Sequence, residues 1–133
     1  MLWRKSYEIG NETVDGQHKE LFRLVQDVLD ADAFGSRKEK IESALKFLAE
    51  YAVRHFETEE ELMLESGFPG YEAHKKIHED FVHAVVDFMG RFEEEGSTVS
   101  VSETINGFVL DWLNEHIMGS DKEMAEFYKE WTS

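Results

Sequence analysis

Between Ile41 and Leu62 an inward-facing position recurs with the spacing 4-3-4-3-4-3 and no slip: Ile41, Leu45, Leu48, Ala52, His55, Glu59, Leu62. Such a stripe requires a long helix lying along a seam against other helices. His55 and Glu59 stand where the pattern demands apolar side chains. A carboxylate buried there without a partner costs several kcal/mol, so its presence implies a pairing group or a metal. Glu57, Glu60 and Glu61 fall off the stripe and are expected on a solvated face.

A turn with the sequence Gly67-Phe68-Pro69-Gly70 leads into a second stripe, Tyr71, His74, His78, Phe81, Val85, Phe88, Phe92, spaced 3-4-3-4-3-4. Here both histidines hold core positions. A four-residue step returns a side chain to within roughly 40° of its starting direction. His55/Glu59 and His74/His78 are therefore two-toothed chelates, and the turn folds one toward the other. His83 lies five past His78, off the stripe, and reads as an ordinary surface histidine. Glu93-Glu94-Glu95-Gly96 closes the segment with like charges suited to solvent.

The rest of the chain follows the same logic. Residues 1–13 carry Trp3, Tyr7 and Ile9 without helical rhythm and read as an extended arm laid against the remainder. From about Val14 the positions His18, Phe22, Val25 and Leu29, with Leu21 beside them, give a helix that ends near Phe34-Gly35. Ser36 followed by Glu39 has the capping-box spacing for the next helix. A fourth helix is expected from about Ser97–Ser100, with the stripe Ile105, Val109, Trp112, His116 flanked by Phe108 and Leu113. Gly119-Ser120 reads as a break, with a short helix from about Asp121 to Trp131. The chain of 133 residues holds a single proline, Pro69, which leaves long uninterrupted helices available. The predicted fold is all-α: residues 1–133 as one domain, an antiparallel up-down four-helix bundle with an extended N-terminal arm and a short C-terminal helix.

Charge narrows the partners. Lys and Arg number 14 against 29 Asp and Glu, a net charge of −15. Such a surface repels phosphates, so neither nucleic acid nor an anionic membrane is an expected partner. There is no cysteine, so disulfides and thiolate metal sites are absent. The N-terminus has no apolar signal core, no apolar run approaches bilayer length, and a cytoplasmic protein is expected.

Gathered together, the core positions hold His18, His55, Glu59, His74, His78 and His116, with Asp121 five beyond His116. On an ideal helix that last step lands roughly 140° away. Asp121 can join only if the helix loosens, and Gly119 permits this. One histidine on an apolar stripe is ordinarily a core residue; five of six, two in chelate pairs with a buried Glu, point to metal. The set suits iron, zinc, copper or manganese. Seven ligands exceed what one tetrahedral zinc uses, which favours two metals. The Glu-x-x-His signature of ferritin-like carboxylate proteins is absent.

The order His18 … His55-x-x-x-Glu59 … His74-x-x-x-His78 … His116-x-x-x-x-Asp121 resembles hemerythrin, in particular its bacterial branch. So do the opening Tyr7-Glu-Ile-Gly-Asn-Glu-Thr-Val-Asp-Gly-Gln-His18 and the segment Trp112-Leu-Asn-Glu-His116. The resemblance implies two iron ions joined by an oxo or hydroxo bridge, one held by His74, His78 and His116, the other by His18 and His55. Glu59 and Asp121 would bridge them. Five histidines, four oxygens of the bridging carboxylates and two positions for the oxo bridge leave one of twelve octahedral positions open, on the two-histidine iron. In the family, dioxygen enters there and is held as a hydroperoxide. The matching ligand pocket would be Leu21, Phe56, Trp112, Leu113 and Ile117, with Gly119 where animal oxygen carriers place a large aliphatic residue. The smaller residue implies a more open route and faster autoxidation.

The resemblance therefore implies reversible binding of dioxygen, or a similar small diatomic or anionic ligand, for delivery, scavenging or sensing, rather than catalysis. Alternatives are a di-iron peroxidase or nitric oxide reductase, and iron sensing or storage. No catalytic residue is assigned, and the sequence names no protein partner.

Overall fold

The computed structural model describes residues 2–35, 37–96 and 100–133. After an arm with a 3-10 turn at Lys5–Tyr7 come α1 (Glu12–Ala33), α2 (Lys38–Ser66) and α3 (Tyr71–Glu95). The fourth helix, α4, has four parts: α-helical Val101–Thr104, a π turn at Ile105–Val109, α-helical Leu110–His116 and a second π turn at Ile117–Asp121. It runs directly into the C-terminal helix α5 (Lys122–Thr132). The four long helices form the expected up-down bundle, and no strand occurs among the described residues. No described helix is long and apolar enough to cross a membrane.

Local signals explain the boundaries. Helix α1 starts two residues earlier than its apolar rhythm, because the Asn11 side chain accepts from the Val14 N–H at 3.1 Å and caps it. Asp15 accepts from the Ile9 N–H at 2.8 Å and ties the arm to the helix. Tyr7 stacks on Phe22 with ring centroids 5.1 Å apart, so the arm's aromatics do lie against the core. The capping box proposed at Ser36 lies outside the described residues; Arg37 precedes α2 without a side-chain cap. Gly67 ends α2 in the left-handed region at φ 72°, and the Phe68 N–H reaches the Met63 carbonyl at 2.9 Å, a Schellman-type closure. Ser100 caps α4 by accepting from the Glu103 N–H at 3.2 Å.

Two expectations for the fourth helix are corrected. Gly119-Ser120 does not break the chain's helical path; the backbone widens into a π turn whose mark is the Lys122 N–H reaching back to the Ile117 carbonyl. The buried stripe is Val101, Ile105, Val109, Leu113 and His116, not one through Trp112. The upper π turn adds a residue to one revolution, so the phase moves on: Leu113 turns inward, Trp112 is only partly buried, and Phe108 is 37% exposed. Smaller drifts occur where a heptad stripe runs along a straight helix. In α2, Met63 rather than Leu62 is fully buried, and in α1 Val28 replaces Leu29.

The core is divided. A large apolar cluster fills the upper bundle, from Leu21–Ala31 of α1 through Ile41–Phe56, Phe81–Phe92 and Val101–Ile117. A small one, Met63, Phe68 and Met124, closes the lower end under the Gly67–Gly70 turn. Between them lies a polar layer. It falls near the start of α1 and α3 and near the end of α2 and α4, as alternating helix directions require.

Candidate metal centre

The polar layer is made of His18, His55, Glu59, His74, His78, His116 and Asp121, all at most 5% exposed. All seven residues singled out in the sequence are brought together. His83 is exposed, as expected.

The two carboxylates organise the layer. Glu59 Oε2 lies 2.9 Å from His55 Nε2 and 3.4 Å from His18 Nε2, while its Oε1 lies 3.0 Å from His78 Nε2 and 3.4 Å from His74 Nε2. Asp121 divides in the same way: Oδ2 is 3.0 Å from His18 Nε2, and Oδ1 is 2.9 Å from His116 Nε2 and 3.0 Å from His74 Nε2. Each carboxylate thus turns one oxygen toward the His18/His55 side and the other toward the His74/His78/His116 side. Two compact donor groups result, Glu59/His74/His78/His116/Asp121 and His18/His55/Glu59/Asp121, sharing only the carboxylates.

The lower π turn makes this possible. The revolution widened by its i→i+5 hydrogen bonds brings Asp121 back toward the direction of His116 and relieves the roughly 140° misfit of an ideal helix. Gly119 sits in that turn, exposed, with nothing within 4 Å of where a Cβ would stand.

Burial and charge set the protonation of the layer in the absence of metal. Burial opposes charging His18, but the Asp121 and Glu59 carboxylates outweigh it and lift its pKa from 6.5 to about 9. The same balance lifts His116 to about 9 and raises His74. Burial works against ionising Glu59, yet His55, His116 and His18 hold it well below its ordinary value. Asp121 is lowered too: burial and Glu59 oppose its charge, and His116, His18 and His74 prevail. The layer is a knot of anions whose neighbours accept protons when no other cation is available.

Hydrogen bonding shows that protons are a poor fit. Both Glu59 oxygens, Asp121 Oδ2 and His18 Nε2 are buried with no properly directed hydrogen bond among the described residues, although oppositely charged partners stand 2.9 to 3.4 Å away. Groups that close without aiming at each other are converging on common points between them. His78 Nε2 and His74 Nε2 lie 3.0 and 3.2 Å from His116 Nε2, near the edge of about 3 Å for cis ligands at bonds of about 2.1 Å. Metal cations fit this donor set: it is a metal-binding cluster of imidazole and carboxylate.

Sequence reasoning missed the outer contacts. Glu60, expected in solvent, is one-fifth exposed and accepts from His78 Nδ1–H at 2.9 Å. Gln17 Oε1 accepts from His55 Nδ1–H at 2.8 Å, and its amide donates to Thr58 Oγ1 at 3.2 Å. Both bonds place the proton on Nδ1 and leave Nε2 free to ligate. The available signal was adjacency: Gln17 precedes His18 and Glu60 follows Glu59, so each borders an inward position. Phe56 stacks on His78 at 4.0 Å, bracing the same ring, and Trp112 on His116 at 4.4 Å fixes one more. Leu21, Phe56, Leu113 and Ile117 are at most 3% exposed.

Comparison with known proteins agrees. Residues 9–128 match the family model of the hemerythrin HHE cation binding domain. The chain is 36% identical to a bacteriohemerythrin of Methylococcus capsulatus, covering 92% of each chain. It is 32% identical to a myohemerythrin of Theromyzon tessulatum, covering 90% of this chain and 86% of that one. A crystal structure of wild-type hemerythrin superposes with a TM-score of 0.85 at 31% identity, covering 96% and 97% of the two chains. The chain belongs to the hemerythrin family, proteins that bind dioxygen reversibly at a non-haem di-iron centre.

Proposed function

We propose that residues 1–133 work as one di-iron domain, with one iron held by His74, His78 and His116, the other by His18 and His55, and Glu59 and Asp121 bridging. An oxo or hydroxo group would complete the bridge. The observation that carries this reading is the division of each carboxylate between the two histidine groups. Iron held by these residues would supply the electrons for reversible dioxygen binding. The chain itself supplies three things. Outer hydrogen bonds from Gln17 and Glu60 orient the rings. Leu21, Phe56, Leu113 and Ile117 exclude water beside the two-histidine group, where the donor set is one ligand poorer. Trp112 braces His116 of the three-histidine group by stacking on it.

This is a ligand-binding role rather than turnover. The exposed Gly119, with open space where a Cβ would stand, supports delivery or scavenging over long storage. It also supports a second reading, a di-iron peroxidase or nitric oxide reductase. The test is metal analysis with absorption spectra of the protein reduced without oxygen, exposed to air and degassed. Two irons per chain and a charge-transfer band that rises with oxygen and fades on degassing are expected. Zinc, or one metal per chain, refutes the assignment. Fast consumption of peroxide or nitric oxide without a reversible band selects the second reading.

A further inference from the structure

Two histidines of the layer, one in each group, direct the Nδ1 proton to different kinds of partner. His78 Nδ1–H donates to the Glu60 carboxylate at 2.9 Å, and His55 Nδ1–H donates to the Gln17 amide oxygen at 2.8 Å. A carboxylate presents an acceptor whichever way it turns. An amide does not: one end accepts and the other donates, so turning it over reverses what the ring must carry. His55 therefore needs something that fixes the direction of Gln17.

Thr58 is placed to do this. It stands four residues beyond Arg54 and three beyond His55, so it shares a side of α2 with both. Its Oγ1–H donates to the Arg54 backbone carbonyl at 3.2 Å, the ordinary back-bond of a threonine within a helix. With the hydroxyl proton committed to the backbone, Oγ1 meets α1 as an acceptor. The Gln17 Nε2–H donates to it at 3.2 Å. The amide nitrogen thus points to Thr58, its oxygen to His55, and the His55 proton sits on Nδ1. The opposite orientation would set the Gln17 oxygen against the Thr58 lone pairs and its amino end against His55 Nδ1. The ring proton would then move to Nε2, which lies 2.9 Å from Glu59 Oε2. A proton held there closes the position that a metal would take.

We propose that Thr58 is a positioning residue of the metal centre: through Gln17 it holds His55 in the ligating tautomer and so governs occupancy of the two-histidine position alone. The proposal rests on the di-iron reading. The relay takes its direction from the Arg54 carbonyl and carries no net charge, unlike the Glu60 partner of the three-histidine group.

The test is anaerobic titration of the full chain with ferrous ion against a chelator of known affinity, resolving the two equivalents. Each variant is measured once the helical circular dichroism of its metal-free form matches the parent. Thr58→Val keeps the shape and removes the hydroxyl, and Thr58→Ala is a second variant that also removes it. In each, one equivalent is expected to weaken about tenfold, the lower end of the loss typical for an outer partner, while the other stays within twofold. Thr58→Ser restores the hydroxyl and is expected to bind both equivalents within about threefold of the parent. In Gln17→Glu there is no amide to orient, so adding Thr58→Val is expected to change neither equivalent more than twofold, a rescue that a purely structural loss cannot give. Equivalents unchanged without the hydroxyl, both weakened alike, or a loss that persists in the Gln17→Glu background overturns the proposal and leaves the di-iron reading standing. A parent that takes up one metal per chain overturns both.

Discussion

Glu60 is the residue whose role changed most between sequence and structure, and replacing it tests the reading of the centre. Its Oε2 accepts from His78 Nδ1–H at 2.9 Å with the carboxylate one-fifth exposed and the imidazole 2% exposed. A hydrogen-bonded carboxylate makes the ring a stronger donor through Nε2 and holds its tautomer. Loss of such a partner typically weakens metal binding 10- to 100-fold, about 1.4 to 2.7 kcal/mol. Partial exposure lets water replace part of the bond in Glu60→Ala, so the lower end, about tenfold, is expected. Glu60→Gln keeps an acceptor but loses the charge, and a loss of roughly threefold is expected. The assay is ferrous ion competition against a chelator of known affinity, with circular dichroism of the metal-free variants to verify folding. If Glu60→Ala binds iron within twofold of the parent, the outer bond does not support His78 and the argument fails.

Three other outcomes follow. In the metal-free protein, His18 and His116 have folded pKa values near 9 against an ordinary 6.5, so their stabilising protonation is complete below about pH 6.5 and lost as pH rises through 9. The melting temperature of the metal-free form should therefore fall by about 5 °C or more from pH 6.5 to 9, and a flat profile refutes the charge balance drawn for the layer. Gly119→Leu has open space at its Cβ and removes a helical glycine, so the melting temperature should hold or rise while autoxidation slows; unchanged autoxidation shows that ligand and solvent do not pass there. Deleting Gly119 turns the five-residue step from His116 to Asp121 into a four-residue one on an ordinary α-helix, and two irons per chain should be retained. Loss of metal in that variant, measured by elemental analysis, refutes the geometric account of the π turn.

Much of the centre was legible because burial and chemistry conflict there. Apolar periodicity located the helices, and His55, Glu59, His74 and His78 stood out by occupying positions that periodicity reserves for hydrocarbon. Glu60 was not legible in this way: its direction depends on how α2 rotates against α3, which a single stripe does not resolve. Trp112 failed for a related reason. The π turn above it shifted the phase of α4, and only the backbone reveals that Leu113 faces inward in its place.

The two π turns also say why α4 differs from its neighbours. Helices α2 and α3 each present two donors through a four-residue step, which costs the backbone nothing. On α4 the donors are five residues apart, and the second carboxylate reaches the layer only because the helix opens by one residue below His116. That opening places Gly119, Met118 and Ser120 on a widened outer arc beside the metal layer, with Gly119 and Met118 exposed. A four-residue step would ligate as well and would leave a tighter wall. What the extra residue adds is therefore not a better ligand position. It is a looser outer turn that ends at Asp121, with Met118 and Gly119 open to solvent. The same reasoning applies to the upper π turn, where the widened revolution borders a half-open apolar groove between α2, α3 and α4 instead of a donor.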